Sequence, residues 1–164
     1  MTVKATASTL HIRPATKVDI PRLVQLVNSA FSIETFLEGT RTDEVRLTAT
    51  MSKGEILLAE DHQAQPLASV YIEVRGDRGY LGMLAVDPAH QGQGLGRLLV
   101  EAAQKHLRRQ GCAVVDISVL SLRPELLPLY RRFGFVENGM EEFKPSRPLK
   151  SGVKCHCVMM SKAL

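Results

Sequence analysis

The stretch Asp87-Pro88-Ala89-His90-Gln91-Gly92-Gln93-Gly94-Leu95-Gly96-Arg97-Leu98-Leu99-Val100-Glu101-Ala102-Ala103 joins the apolar run 83–86 to an amphipathic segment, with glycine at every second position across the joint. A helix start exposes backbone N–H groups that have no partner within the helix, together with the positive end of the helix dipole. Removing side chains around such a start lets an anion reach those donors directly. One glycine would serve to turn the chain. Gly92, Gly94 and Gly96 together read as an amide cradle for phosphate. It is not a Walker loop, which puts Gly-Lys-Ser/Thr at the helix start, because here Gly96 is followed by Arg97 and Leu98. Nor is it a dinucleotide fingerprint: the third glycine of G-x-G-x-x-G arrives one residue early, and Asp116, the acid roughly 20 residues on, lies inside a strand rather than at its end.

Working outward, Leu95, Leu98, Leu99, Ala102, Ala103 and Leu107 share one face of a helix predicted over residues 94–110. Lys105, Arg108 and Arg109 suit its last turn, and Gly111 stops it. A strand over 113–120 follows, so the strands flanking this helix are expected to run parallel. Upstream, strands are predicted over 55–60, 67–75 and 80–86, with a turn at 61–66 and a hairpin at Gly76-Asp77-Arg78-Gly79. The chain opens with a strand at 10–14 and a helix for which Asp19 offers the N-cap, Pro21 the first turn, and Ile20, Leu23, Val24 and Val27 the apolar face. Residues 28–42 have no clean period and read as a lid or irregular connection, before a weaker helix over 43–51. After the central crossover come a short helix at 124–132, a strand starting within 133–136, a long polar connection at 139–152 and a last strand at 154–160. The element order is that of a single α/β domain spanning residues 1–164.

Composition agrees. At 164 residues with 45% hydrophobic and 23% charged residues, the chain suits one soluble domain, and no apolar run is long enough to span a bilayer. Residues 1–9 lack the pattern of a signal peptide, so a cytoplasmic location is expected. Cys112, Cys155 and Cys157 do not suggest a disulfide framework, and no second Cys/His cluster completes a metal site around Cys155-His156-Cys157. The net charge of +4 favours an anionic ligand, but three Tyr, five Phe and no Trp give little for stacking bases, so neither a nucleic acid nor a membrane is an expected partner.

Gln91-Gly92-Gln93-Gly94-Leu95-Gly96 resembles the Gln/Arg-x-x-Gly-x-Gly/Ala pyrophosphate loop of the GCN5-related N-acetyltransferase (GNAT) superfamily. Met83-Leu84-Ala85-Val86-Asp87-Pro88 is similar to that family's fourth strand, and Leu129-Tyr130-Arg131-Arg132-Phe133-Gly134-Phe135 to its Leu-Tyr-x-x-x-Gly-Phe segment. The resemblance implies a mixed, mostly antiparallel central sheet of about seven strands, with helices on both faces and a splay between strands 4 and 5. It implies acetyl-CoA as cosubstrate, its pantetheine arm on the backbone of Leu84, Ala85 and Val86 and its pyrophosphate on the amides of Gln91, Gly92, Gln93, Gly94, Leu95, Gly96 and Arg97. Tyr130 takes the position of the general acid, since a departing thiolate is stabilised by a donated proton. Where some relatives carry a glutamate on the fourth strand this chain has Tyr80, which leaves Glu73 as a base acting through water. Arg123 and Leu126 depart from the family's usual residues at the start of the short helix.

The expected function is therefore direct acetyl transfer to a primary amine of a small molecule, with a protein amino terminus or lysine as the alternative acceptor. An acyl-CoA-binding module without turnover is the alternative outside enzymes. Phe31, Phe36 and Phe143 suit an apolar acceptor body, and Glu34 and Glu38 a cationic end. Relatives are often homodimers, which makes a homodimer the expected assembly.

Overall fold

The computed structural model describes residues 10–145 and 147–164; the reading of residues 1–9 as leaderless lies outside them. The elements are β1 (His11–Pro14), α1 (Ile20–Ala30), α2 (Glu44–Met51), β2 (Glu55–Glu60), β3 (Pro66–Arg75), β4 (Arg78–Val86), α3 (Leu95–Arg109), β5 (Val114–Leu120), α4 (Leu126–Arg132), β6 (Val136–Glu142) and β7 (His156–Ala163). The strands form one sheet in the order β1-β2-β3-β4-β5-β7-β6. Every neighbouring pair is antiparallel except β4–β5, the pair that α3 connects.

That parallel pairing is short. Arg78 pairs with Val114, Gly79 with Val115 and Tyr80 with Asp116; beyond them β4 runs on to Val86 and β5 to Leu120 with no further pairing between the two. The expected splay is present.

Alternation along the strands builds a core on each face. Leu57 and Ala59 of β2 pack with Leu95, Leu99, Ala103 and Leu107 of α3, while Ile56 and Leu58 pack with Ile20, Leu23 and Val27 of α1 and Leu47 of α2. Both faces being covered explains why β2 reads EILLAE, an unbroken apolar run rather than an alternation. Among the described residues, no helix is long and apolar enough to cross a membrane.

Four local expectations are corrected. The β3–β4 hairpin turns on Gly76-Asp77 alone, because Arg78 and Gly79 already pair with Arg75 and Val74. Residues 139–142 belong to β6 and not to the polar connection. This strand, VENGMEE, lies at the sheet edge and is exposed along its length, so it carries no apolar alternation to read. The last strand runs past Met160 to Ala163, where Ser161 pairs with both Asp116 and Val136. Finally, Asp19 is helical and gives α1 no side-chain cap. Its carboxylate accepts from both terminal nitrogens of Arg13 at 2.8 and 2.9 Å and from the Thr16 N–H at 2.7 Å, tying β1 to the start of α1.

The Arg13 guanidinium holds the Asp19 carboxyl well below its usual range, at about 2. A carboxylate whose pKa falls on folding adds stability above its unfolded pKa and loses it as pH drops through the folded value. Asp19→Asn is expected to cost about 1–2 kcal/mol at neutral pH, and the gap from wild type should close as pH falls from about 4 to about 2. Urea melts across that range would show it; a gap independent of pH would overturn the assignment.

Candidate active site

The splay opens a cleft of about 1010 Å³, bounded by the glycine joint, the unpaired ends of β4 and β5, α4, the α1–α2 connection and the β6–β7 connection. At one end Asp87 organises the joint. Its side chain accepts from the Ala89 N–H at 3.0 Å, its carbonyl from the His90 N–H at 2.8 Å, and its own N–H donates to the Leu67 carbonyl at 2.8 Å. Gly92 and Gly94 then take φ of +78° and +80°, conformations that side-chain-bearing residues rarely adopt, and a Cβ at either would meet nothing within 4 Å. Gly94 is the N-cap of α3, the helix has no side-chain cap, and its first internal hydrogen bond runs from Leu98 N–H to the Gly94 carbonyl. The amides of Leu95, Gly96 and Arg97 are thus left without helical acceptors. Gly96 differs from the other two: a Cβ there would make ordinary contact with Leu84 and Val86 at 3.7 and 3.8 Å, so two glycines, not three, are demanded by backbone conformation.

Of the residues expected to hold the cosubstrate, Leu84, Val86, Gln91, Gly92, Gly94, Leu95, Gly96 and Arg97 line the cleft. Ala85 and Gln93 do not. Ala85 is fully buried in the α1 core and pairs with Ser69, and the Gln93 side-chain oxygen is buried with no described partner. Because Asp87 bonds towards β3, strand alternation turns the backbone groups of Val86 the other way, where the Val86 carbonyl is met by the Gln91 side chain at 3.4 Å. The sequence carried no sign of a neighbouring distortion. Ser69 pairs with Ala85 but Tyr71 with Gly82, so β4 holds one extra residue, and Met83 lies in this bulge with φ of +49°.

Tyr130 projects from α4 into the cleft and is 9% exposed. Phe133 and Phe135 pack edge-on against its ring, at 6.0 and 5.8 Å between centroids. Burial pushes its hydroxyl up to about 12, and that hydroxyl makes no hydrogen bond to any described residue.

Glu73 is placed differently from its expected use. It is not among the cleft-lining residues; Tyr71 donates to it at 2.7 Å and Arg75 at 3.1 Å, and the Arg75 hydrogen bond holds its carboxyl below the usual range. Neither Glu34 nor Glu38 offers a free carboxylate to the cleft. Glu34 is 5% exposed and clasped at 3.0 Å by Arg123 on one oxygen and by Arg147 on the other. Glu38 is exposed and off the cleft. Phe31 and Phe143 line the cleft, whereas Phe36 does not.

Instead, the end of the cleft away from the glycines is lined by Arg41, Arg75, Arg123 and Arg147, with Arg75 lying 4.2 Å over the Tyr80 ring. Sequence reasoning missed this group, since its members come from four separate segments. The only signal was the overall positive charge.

A model of the acetyltransferase (GNAT) domain matches residues 24–145. The chain belongs to the GNAT acetyltransferase family. This GNAT chain is 32% identical over 124 residues to the mycothiol acetyltransferase of Saccharopolyspora erythraea, a match that covers 73% of the chain and 41% of the relative, so it spans less than half that relative's length. Its fold is that of the ribosomal-protein-S18-alanine N-acetyltransferase from Escherichia coli, with a TM-score of 0.75 at 20% identity, covering 94% of this chain and 93% of that one. It is also that of yncA from Salmonella typhimurium, solved with its cofactor acetyl-CoA, with a TM-score of 0.74 at 21% identity, covering 95% and 94% of the two chains.

Removing one partner from a buried ion pair leaves an uncompensated charge. Glu34→Ala leaves the buried Arg147 without a carboxylate partner, while Arg123 keeps Glu125, and should lower the unfolding free energy by about 3 kcal/mol. Denaturant melts would check this, and a loss under about 1 kcal/mol would mean the pairs behave as exposed ones.

Proposed function

We propose that this chain is an N-acetyltransferase that moves the acetyl group of acetyl-CoA directly to a primary amine of a small molecule. The observation that carries the reading is one continuous cleft holding both a helix start bare of side chains and Tyr130, whose hydroxyl has no described protein partner. Acetyl-CoA, when bound, supplies an activated thioester carbonyl. The residues present fit it. Open space around Gly92 and Gly94 lets the first-turn amides of α3 take a pyrophosphate, and the unpaired side of β4 at Val86 offers backbone groups to an extended amide-bearing arm.

Tyr130 gives a hydrogen bond or proton to the sulfur as the C–S bond breaks and the C–N bond forms. With its pKa near 12 it keeps that proton throughout the working range, so the pH dependence of kcat should show no limb from Tyr130 below about pH 10. Glu73 serves to fix Arg75 and Tyr71, and the acceptor ammonium loses its proton to solvent instead. A small acceptor is favoured over a polypeptide because the two connections that bound the cleft are joined to each other: Leu37, which lines it, bridges to Leu149, Glu38 N–H donates to the Pro148 carbonyl at 2.9 Å and Lys150 N–H to the Phe36 carbonyl at 3.0 Å.

A thiol-release assay tests the reading. Tyr130→Phe is expected to lower kcat about 100-fold with the Kd for acetyl-CoA nearly unchanged. Gly94→Asp, which sets a carboxylate and a strained φ in the cradle, should raise that Kd by about tenfold or more. Unchanged binding in Gly94→Asp would refute the cradle, and full turnover in Tyr130→Phe would refute the acid.

A further inference from the structure

Four arginines line the acceptor end of the cleft, and three have partners. Arg75 is bonded to Glu73 at 3.1 Å, Arg123 to Glu34 at 3.0 Å and Glu125 at 2.6 Å, and Arg147 to Glu34 at 3.0 Å and the Gly39 carbonyl at 3.1 Å. Arg41 has none among the described residues. All 17 Asp and Glu side chains of the sequence lie among those residues, so no carboxylate of the chain is held back as its counterion. Glu34, which lines the same cleft, is bonded on one oxygen by Arg123 and on the other by Arg147.

A guanidinium drawn partly out of water without a counterion is a standing cost. Arg41 is half-buried against Phe31, its guanidinium 5.2 Å from the ring centroid. It is also held in place. The next residue, Thr42, exchanges two 3.0 Å hydrogen bonds with the Asn28 side chain, and the preceding Thr40 bonds through its hydroxyl to the Thr42 carbonyl and through its own carbonyl to Arg46. A side chain on so fixed a backbone is prepared for a ligand rather than free to seek solvent. Arg41 lines the same cleft as Tyr80 and Tyr130.

We propose that Arg41 receives a carboxylate on the acceptor, and that the acceptor class is primary amines that carry a carboxylate. This rests on the acetyl-transfer reading above for the amine, and on the unpaired guanidinium for the anion. A planar fork of N–H donors matches a carboxylate in two parallel hydrogen bonds. Of the carboxylates lining the cleft, Glu34 is committed to two arginines while Glu141 and Glu142 have no ion pair among the described residues, so a diamine series tests these two against Arg41.

The test uses matched pairs: α-, β- and γ-amino acids against their carboxamides, aminophosphonates, a diamine series, and dipeptides with and without an acidic second residue. Initial rates of thiol release are followed with wild type, Arg41→Gln and Arg41→Lys, and the same compounds are titrated calorimetrically into CoA-loaded protein. The expected result is a kcat/KM for the carboxylate member about tenfold to a hundredfold above its carboxamide, lost mainly through KM in Arg41→Gln and partly restored in Arg41→Lys. Melting temperature and acetyl-CoA Kd serve as the folding control. Preference for aminophosphonates would reassign the anion and overturn the carboxylate assignment, and preference for acidic dipeptides would overturn the small-molecule acceptor. Preference for diamines or carboxamides, or an equal loss on both members of a pair in Arg41→Gln, would overturn the proposal itself. If nothing turns over, the acetyl-transfer reading fails separately, and the calorimetric preference for carboxylate over carboxamide, present in wild type and absent in Arg41→Gln, still decides the role of Arg41.

Discussion

Everything at the site depends on a parallel strand pair that stops after three residues. Had β4 and β5 stayed in register past Tyr80 and Asp116, the backbone of Leu84 and Val86 would be spent on the sheet, and α3 would cap an ordinary crossover. Divergence does two things at once. It frees the edge of β4 for an extended ligand, and it brings the N-terminus of α3 to the mouth of the gap it has opened. The bulge at Met83 works in the same direction, adding a residue to β4 next to the gap while the β3–β4 ladder resumes on either side.

This is also why the glycine joint was so legible. A helix start of this kind is local: its free donors are consecutive amides, its conformations are set by neighbouring residues, and its signature fits within a few positions of sequence. Tyr130 was legible for a similar reason, lying in a short motif between two readable elements. The acceptor end is not local. Glu34 and its partners Arg123 and Arg147 are 89 and 113 residues apart in the chain, and nothing in the spacing of any one of them announces the others. Glu34 looked like a free anion for a cationic substrate because sequence shows a residue's charge and not its partner. The engagement of Glu73 was missed on the same ground: Arg75 lies two residues on along the strand, and its hydrogen bond lowers the carboxyl's affinity for a proton.

The two ends of the cleft treat charge in opposite ways. At the glycine joint the positive potential comes from backbone dipoles, which need no desolvated side chain and tolerate an exposed setting. Arg97, whose Nε lies 3.3 Å from the Glu101 carboxylate, adds little to it. At the other end it comes from guanidinium groups, two of them withdrawn from water and neutralised by a single buried glutamate. A dipole cradle is generic to any phosphate. Of the four arginines, Arg75, Arg123 and Arg147 are bonded to carboxylates and Arg41 to none among the described residues.

The bridge between Leu37 and Leu149 makes one body of two connections that are far apart in sequence. Loops that vary independently can be exchanged one at a time, but these share backbone hydrogen bonds and, through Arg147 to Glu34 and to the Gly39 carbonyl, an ion pair and a further bond. Lengthening or replacing either alone would break the ladder and strand the buried charge. The two connections are therefore inherited as a pair: a graft that transplants one without its mate carries over half a wall of the cleft and loses the other half's support.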